Sequence, residues 1–507
     1  MLPYIPLHAR SAYSLGRGTA PVERLVDQAL LYGHDALALT DRNNLYGAVA
    51  FTRACRERGM RPILGAEVDG PDGTAVLLVR DTEGYANLCR LLTRRALDPR
   101  FRLVPALAEI HRGLHVLAAD ATLLTALARV VPRGSLWGEL QAPRHGEPAF
   151  AAVADAARSL GLDTVATGAV NFLRREDRRL HATLTAIREN TLVERLTTAD
   201  LAPREAHFKA PSAMLSLFRR HPAALSATRR IADSCTFTLE RRRWIFPDPP
   251  LPAGETAASH LRALCEAGFT RRYGSRIAAP AAARQLDREL EIIERLGFSS
   301  YFVVVGEIVR FGRERGVATV GRGSGASAVT SFVLGITNVD PIRYGLAFER
   351  FLHEKRPDWP DLDVDLCWKR RDEVIEHVYA AYGRDRVAMI STHNTYGMRS
   401  AFREAAAAHG VANATVDRLG RCVPHASEMP LRQALDRVPR GREIPREDPP
   451  WPRVLEQAER LVGLPRHLGL HPGGIVIADT PLERYVPLEE AAKGILCTQF
   501  EMRAVEA

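Results

Sequence analysis

The sequence predicts a multidomain protein of α/β and α+β class, and three observations carry that prediction. The chain has 507 residues, more than one hydrophobic core usually supports, so it divides into domains of ~100–200 residues. Up to about residue 240, short apolar runs alternate with helix-like stretches, the pattern of a largely parallel sheet or barrel. Beyond the proline cluster of "RRRWIFPDPPLPAG", which reads as a linker, the pattern becomes helical, then mixed, then helical and arginine-rich, and finally returns to strand.

In the first region "DALALT", "RPILGAEV", "TAVLLVRD", "LHVLAAD" and "LDTVATGAV" supply strands, and "LYGAVAFTRACRERG" and "YANLCRLLTRRAL" supply helices. After residue 255 come the helices "AASHLRALCEAGFTRRYG" and "AAARQLDRELEIIERLGF", followed by mixed structure to about 390. Residues 395 to about 468 read as helical, interrupted by the loop "VPRGREIPREDPPWP", and "HPGGIVIADTPL" reads as strand. There is no internal repeat and no low-complexity segment.

A composition of 46% hydrophobic and 25% charged residues is that of an ordinary globular protein. The start, "MLPYIPLHAR", is too broken by proline for a signal peptide, and no run of ~18 apolar residues occurs, so the expected location is cytoplasmic. Seven scattered cysteines without a C-x-x-C pair argue against a disulfide framework or a thiolate zinc site. The net charge is +9, and only four of the 69 basic residues are lysine. A GC-rich genome accounts for that as readily as a polyanionic partner does. Guanidinium forks nevertheless suit phosphate oxygens, and nucleic acid leads membrane because no basic amphipathic helix is evident.

Two motifs carry chemistry. In "WPDLDVDL", Asp361, Asp363 and Asp365 alternate with Leu362, Val364 and Leu366, so in a strand the acids share one face and the apolar residues the other. Like charges so close raise one another's pKa unless a cation sits among them, and oxygen ligands favour Mg²⁺ or Mn²⁺ over zinc. A solvated strand edge, or an N-cap cluster before "RRDEVIEHVYAAYG", accounts for the same pattern. About 40 positions earlier, "VATVGRGSGASAVTSFVLGI" ends a strand in Gly321, Arg322, Gly323, Ser324 and Gly325 before an apolar helix. Glycines admit close approach of an anion and helix-start amides favour negative charge, although a plain glycine turn remains open. Neither a Walker A loop nor a dinucleotide fingerprint fits. With Arg322 and Arg350 nearby, phosphate loop, cations and paired acids make the parts list of metal-assisted nucleotidyl transfer.

These residues, with "LGITNVDPIRYGLAFERFL", "HPGGIVIADTPL" and "TQFE", resemble the palm and thumb of bacterial DNA polymerase III alpha subunits, the C-family polymerases. The stretch "YIPLHARSAYS…ALALTDRNNLYGAVAF…RPILGAEV" is similar to their PHP (polymerase and histidinol phosphatase) domain. The resemblance implies a PHP-type α/β barrel over 1–240, a nucleotidyltransferase-like palm of mixed sheet over 241–394, a helical thumb over 395–468, and a returning palm segment over 469–507. It makes Asp361 and Asp363 the catalytic metal ligands for two Mg²⁺, or Mn²⁺, and leaves Asp365 without a role. Arg322, Gly323 and Ser324 match the element that holds the incoming triphosphate, and Arg350 matches a phosphate-contacting arginine.

Two departures from the family pattern matter. The third catalytic carboxylate of the family comes from a K-x-D segment after "TQF", and this chain stops at "TQFEMRAVEA". The expectation is a piece holding PHP, most of the palm, and the thumb, without an intact polymerase site. The family's PHP metal centre needs H-x-H, D-H and further histidines, but here Arg10, Arg42, Thr74 and Asn171 stand at ligand positions while His8, Asp41 and Glu67 remain. A guanidinium repels a cation, so the arginines are expected to pair with the leftover carboxylates and the domain to be structural rather than a proofreading exonuclease.

The resemblance thus implies a DNA-directed DNA polymerase acting on primer–template DNA and deoxynucleoside triphosphates. Sliding clamp and other replisome proteins would be met through C-terminal regions not in this sequence, and no membrane is involved. The alternatives are a PHP-type metal-dependent phosphoesterase or exonuclease, and a catalytically silent nucleic-acid-binding scaffold. His467 and His471 in "RHLGLHPGG" are expected in a turn rather than as a metal pair, and Arg399 and Arg403 share a helix face that suits either DNA or solvent.

Overall fold

The apolar runs of the first 170 residues become six strands: β1 (Ala36–Arg42), β2 (Arg61–Gly70), β3 (Gly73–Val79), β4 (Leu114–Ala118), β5 (Leu136–Gln141) and β6 (Thr164–Thr167). This is a computed structural model, describing residues 4–239, 246–352, 362–425, 429–491 and 494–506. The strands pair in chain order, parallel for β1–β2, β4–β5 and β5–β6 and antiparallel for β2–β3 and β3–β4. Residues 6–10 join the two edges. Ala38 N and Thr40 N donate to Pro6 O and Ala9 O, while Arg10 N and Val170 N bond to Val170 O and His8 O at 3.0 Å each. Main-chain bonding therefore runs around the sheet, as an α/β barrel requires.

Register sets what faces inward. Ala38, Ile63, Val76, Leu117, Trp137 and Val165 fall on one face and pack with Ile5, Leu7 and the helix Pro222–Ser234. Further along that face, by the same alternation, come Arg42, Glu67, Glu139 and Thr167, a polar layer above an apolar one. Strand β5, from "LWGELQ", is absent from the strands read from sequence.

The chain divides into two units, one of Met1–Arg241, Met389–Gly474 and Glu483–Ala507, the other of Arg242–Ala388 and Ile475–Leu482. In the second unit the helices Ala257–Tyr273, Pro280–Arg295 and Ser299–Glu314 enclose a core of Phe269, Leu286, Ile293, Phe302, Phe348 and Phe351. The first helix starts where Thr256 Oγ1 accepts from Ser259 N at 3.1 Å, satisfying an amide the helix itself cannot. Two short strands, β7 (Thr319–Arg322) and β8 (Asp363–Leu366), pair antiparallel.

In the first unit the arginine-rich segment forms the helices Met398–Ala408, Asn413–Gly420, Leu431–Arg437 and Trp451–Leu461. Ala401, Ala405 and Ala406 let the first approach the last closely, and Phe402 stacks on Trp451 with ring centroids 5.8 Å apart. This core is shared with Leu180 and Leu184 of the helix Arg178–Arg188. Strands β9 (Val387–Thr395), β10 (Pro465–Ile477), β11 (Leu488–Glu490) and β12 (Leu496–Glu501) form a sheet in the order β10-β9-β12-β11.

Here one expectation is corrected: "RHLGLHPGG" lies in strand β10, not in a turn. His467 and His471 are then ~13 Å apart along the strand, too far to share an ion. Among the described residues no helix is long and apolar enough to cross a membrane.

Candidate active site

The β7–β8 ladder sets Arg322 directly across from Asp363 and one pleat from Asp365. Arg322 NH1 donates to Asp363 Oδ2 at 2.8 Å and Nε to both oxygens of Asp365 at 3.1 Å, so two acids of the D-x-D pattern do share a face. Leu362 and Val364 turn the other way, onto the apolar core. Asp361, the first acid of the motif, lies outside the described residues. The Arg322, Asp363 and Asp365 side chains are 60%, 37% and 60% exposed, and ion pairs in such surroundings contribute ~0–1 kcal/mol. The carboxylates can therefore exchange the guanidinium for another cation at little cost. Their oxygens are hard donors of the kind Mg²⁺ or Mn²⁺ takes, so the described part of the motif fits such an ion.

The glycines beside Arg322 answer to backbone geometry. A Cβ on Gly321 would lie 2.3 Å from Ile336 O, and Gly323 has φ 77° and ψ −165°, a region open to glycine alone. Ser324–Ser327 then make a 3₁₀ turn that contacts the turn Phe348–Arg350, and buried Phe348 and Phe351 anchor Arg350 at the surface near it. The helix-start amides expected to favour phosphate are already taken. Val329 N and Thr330 N donate to the buried carboxylate of Glu289 at 3.0 and 2.8 Å, and Thr330 Oγ1 adds a third bond at 2.9 Å. Burial pushes Glu289 up to about 7 against these donors. An incoming anion is left with the loop amides and the arginines.

Sequence reasoning missed Glu289, although it occupies an apolar slot of its helix, between Leu286 and Leu290, where a carboxylate needs a reason. Arg399 Nε donates to Val423 O at 2.7 Å and Arg403 pairs with Asp417, so both arginines of that helix face are engaged within the fold.

In the barrel the arginines sit among carboxylates. Arg10 pairs with Glu67 Oε2 and donates to Asn171 Oδ1 at 2.8 Å, while Arg42 NH1 reaches Glu67 Oε1 at 2.9 Å and Arg42 NH2 reaches Asp69 Oδ2 at 2.6 Å. His8 Nδ1 donates to Glu139 Oε1 at 2.6 Å, and Thr167 and Gln141 complete that carboxylate's bonds. His8 Nε2 lies 3.2 Å from Glu67 Oε2, out of line for a hydrogen bond.

Burial disfavours the charge on Glu67, but Arg10, His8 and Arg42 outweigh it and hold its carboxyl well below the usual range. Burial likewise disfavours the His8 imidazolium, and Glu139 outweighs it, so that the His8 pKa is raised. Asp41, out of phase with this layer, accepts instead from Ser11 N, Ser11 Oγ and Ser14 Oγ at 2.6–2.7 Å. Thr74 lies on β3 opposite Asp69. With both Glu67 oxygens on guanidinium groups, these residues do not fit a trinuclear metal centre. Glu139 and Asp69 are further members that the motif search missed.

A barrel with an internal polar layer, followed by a domain bearing a glycine–arginine–carboxylate cluster, has the features of the PHP and polymerase-family domains that the sequence resembles. The comparisons agree. The PHP domain family matches residues 6–166, and the bacterial DNA polymerase III alpha NTPase domain family matches residues 259–507. An error-prone DNA polymerase of Symbiobacterium thermophilum is 36% identical over 548 residues, covering 100% of this chain and 50% of that protein. An error-prone DNA polymerase of Pseudomonas fluorescens is 37% identical, covering 97% and 48%. A DNA polymerase III subunit alpha of Bacillus subtilis is 32% identical, covering 100% and 47%. The chain belongs to the bacterial DNA polymerase III alpha family, and it spans about half the length of the curated relatives it matches.

Proposed function

We propose that the chain forms the PHP (1–240), palm (241–394 and 469–507) and thumb (395–468) regions of a template-directed DNA polymerase that extends a primer by two-metal nucleotidyl transfer. The observation that carries the reading is the exposed cation position between Asp363 and Asp365, beside the Gly323–Ser324 turn and near Arg350. Asp361 and Asp363 would hold Mg²⁺, and Mn²⁺ suits the same oxygens. Such ions, when bound, lower the pKa of the primer hydroxyl and neutralise charge on the departing pyrophosphate. Asp363 gives up its guanidinium partner, and Asp365 keeps Arg322 at the site as a donor for phosphate. Gly323 and Ser324 offer backbone amides where a side chain would block approach. Thumb arginines not engaged within the fold grip duplex phosphates, an affinity that falls with salt.

Primer–template DNA and deoxynucleoside triphosphates are the proposed partners, in the cytoplasm, with clamp and replisome contacts made outside these residues. We assign the PHP domain a supporting role without exonuclease activity. Gln499 bonds to Leu45 N, Glu489 accepts from Tyr46 Oη and Leu488 N donates to Thr93 Oγ1, so the loop after β1 and the helix Thr82–Leu97 brace the strands β11 and β12. The arginine pairs on Glu67 disfavour the phosphoesterase alternative. The test is primer extension by the chain prolonged past residue 507 to the length of its relatives. Asp361→Asn and Asp363→Asn should each lower extension by a factor on the order of 10³ or more with DNA binding retained. Full extension by both variants sinks the assignment.

A further inference from the structure

We propose that the loop of residues 14–18 and the segment after the helix Arg178–Arg188 form a binding pocket for a phosphate-bearing anion of nucleotide size, with Arg17 as its principal contact. The pocket has a volume of about 440 Å³, and Arg17, Arg188, Thr191 and Arg195 line it together with Glu189 and Asp200. Both acids are already committed. Glu189 accepts from Arg188 Nε at 2.8 Å, and Asp200 accepts from the amide and hydroxyl of Thr197 at 2.8 Å each.

Among the described residues nothing accepts a hydrogen bond from the Arg17 guanidinium. Burial, then Arg188 and Arg42, lower its pKa to about 10, with Glu67 opposing them in part and Arg10 adding a smaller push downward. A half-buried cation crowded by like charges and lacking an acceptor is unfavourable as it stands, and an anion between these groups removes the conflict. Guanidinium forks match phosphate oxygens, and a cavity of this size holds a nucleoside beside the phosphate.

The loop is built to hold Arg17 in place. Arg17 N and Gly18 N donate to Ser14 O at 2.8 and 3.0 Å, and Arg188 NH1 donates to Gly16 O at 2.8 Å. His181 Nδ1 donates to Arg17 O at 2.7 Å while its Nε2 accepts from Ala202 N at 3.0 Å, which fixes a neutral tautomer. Ser14 Oγ donates to Asp41 at 2.6 Å, so an acid that matches a metal ligand of the family here anchors an arginine loop. The inference is independent of the polymerase reading.

Titration calorimetry on the 507-residue chain at low ionic strength tests it, with deoxyadenosine 5′-monophosphate and deoxyadenosine as probes. The nucleotide should bind and the nucleoside should not. Arg17→Gln should weaken binding tenfold or more and the exposed Arg195→Gln severalfold. Arg158→Gln, which removes a surface arginine paired with Asp155, and Asp363→Asn should both leave it unchanged. Competition by a short oligonucleotide ending in phosphate, but not by one ending in hydroxyl, supports the pocket and names a DNA end as its source. Failure of both oligonucleotides to compete supports it and names the free nucleotide. Undiminished binding by folded Arg17→Gln and Arg195→Gln variants, or no heat beyond that of sodium chloride at matched ionic strength, overturns it.

Discussion

Glu67 and Asp363 are both carboxylates held by arginine, yet the two pairs differ in what their loss does. Glu67 is 3% exposed and carries both Arg10 and Arg42, so Glu67→Ala strands a guanidinium in the barrel. Urea unfolding should show a loss of ~3–5 kcal/mol. A loss under ~1 kcal/mol would mean that water reaches Arg10. Asp363 stands in solvent, where its pair is worth little to stability and its exchange with another cation is easy.

His8 adds a pH dependence. Its pKa is raised in the folded chain, so the stabilisation is fully present below its ordinary value of ~6.5 and is lost as pH rises through the folded value. The stability of the parent chain relative to His8→Gln, followed by denaturant titration at stepped pH, should therefore fall as pH climbs above ~6.5. A flat difference would mean that folding leaves the His8 pKa at its unfolded value. Arg10 and Arg42 were legible in sequence because a guanidinium at a ligand position has only one sensible partner. Glu139 was not, since a single acid in "LWGEL" acquires meaning only when β5 brings it to His8 across 131 residues.

Alternation along a strand tells which residues share a face but not which strand lies opposite, and the β7–β8 pair shows where that limit falls. The sharing of a face by Asp363 and Asp365 follows from spacing alone. That the cation between them is Arg322 follows from the register Arg322–Asp363, set by the close packing of Gly321 on Ile336. Gly321→Ala puts a methyl group 2.3 Å from a backbone oxygen, which cannot rotate away. Strand β7 must shift, at ~1–3 kcal/mol, and the register with Asp363 is disturbed with it. Thermal unfolding should register the loss, and magnesium-dependent binding of a deoxynucleoside triphosphate should weaken in parallel. Unchanged values for both would mean that β7 does not position the cluster. The glycine-rich turn was likewise legible as a close-approach element. Its helix amides were misjudged because Glu289, from a helix some 40 residues earlier, caps them first.

For the chain as a whole, the boundary drawn by composition and the boundary drawn by packing are different lines. Spacing of apolar residues finds the helices of 395–468, and proline marks the linker after 240, but neither reveals which surface a helix stripe meets. The cores answer that. Leu180 and Leu184 of the Arg178–Arg188 helix are 2% exposed each and pack with Ala405, Val454 and Ala458, so the first region and the arginine-rich helices share one apolar cluster. Arg460 also pairs with Asp177 across the same join. Burying one leucine contributes ~1.5–3 kcal/mol, and opening a cavity adds to the penalty for removing it, so Leu184→Ala should destabilise by ~2–5 kcal/mol. The spatial spread of the effect is the sharper prediction. Hydrogen exchange should quicken in the helices Met398–Ala408 and Trp451–Leu461 as well as in Arg178–Arg188, because elements sharing a core open together. Exchange that quickens in Arg178–Arg188 alone would mean that the helices after residue 395 hold a core of their own and fold without the barrel.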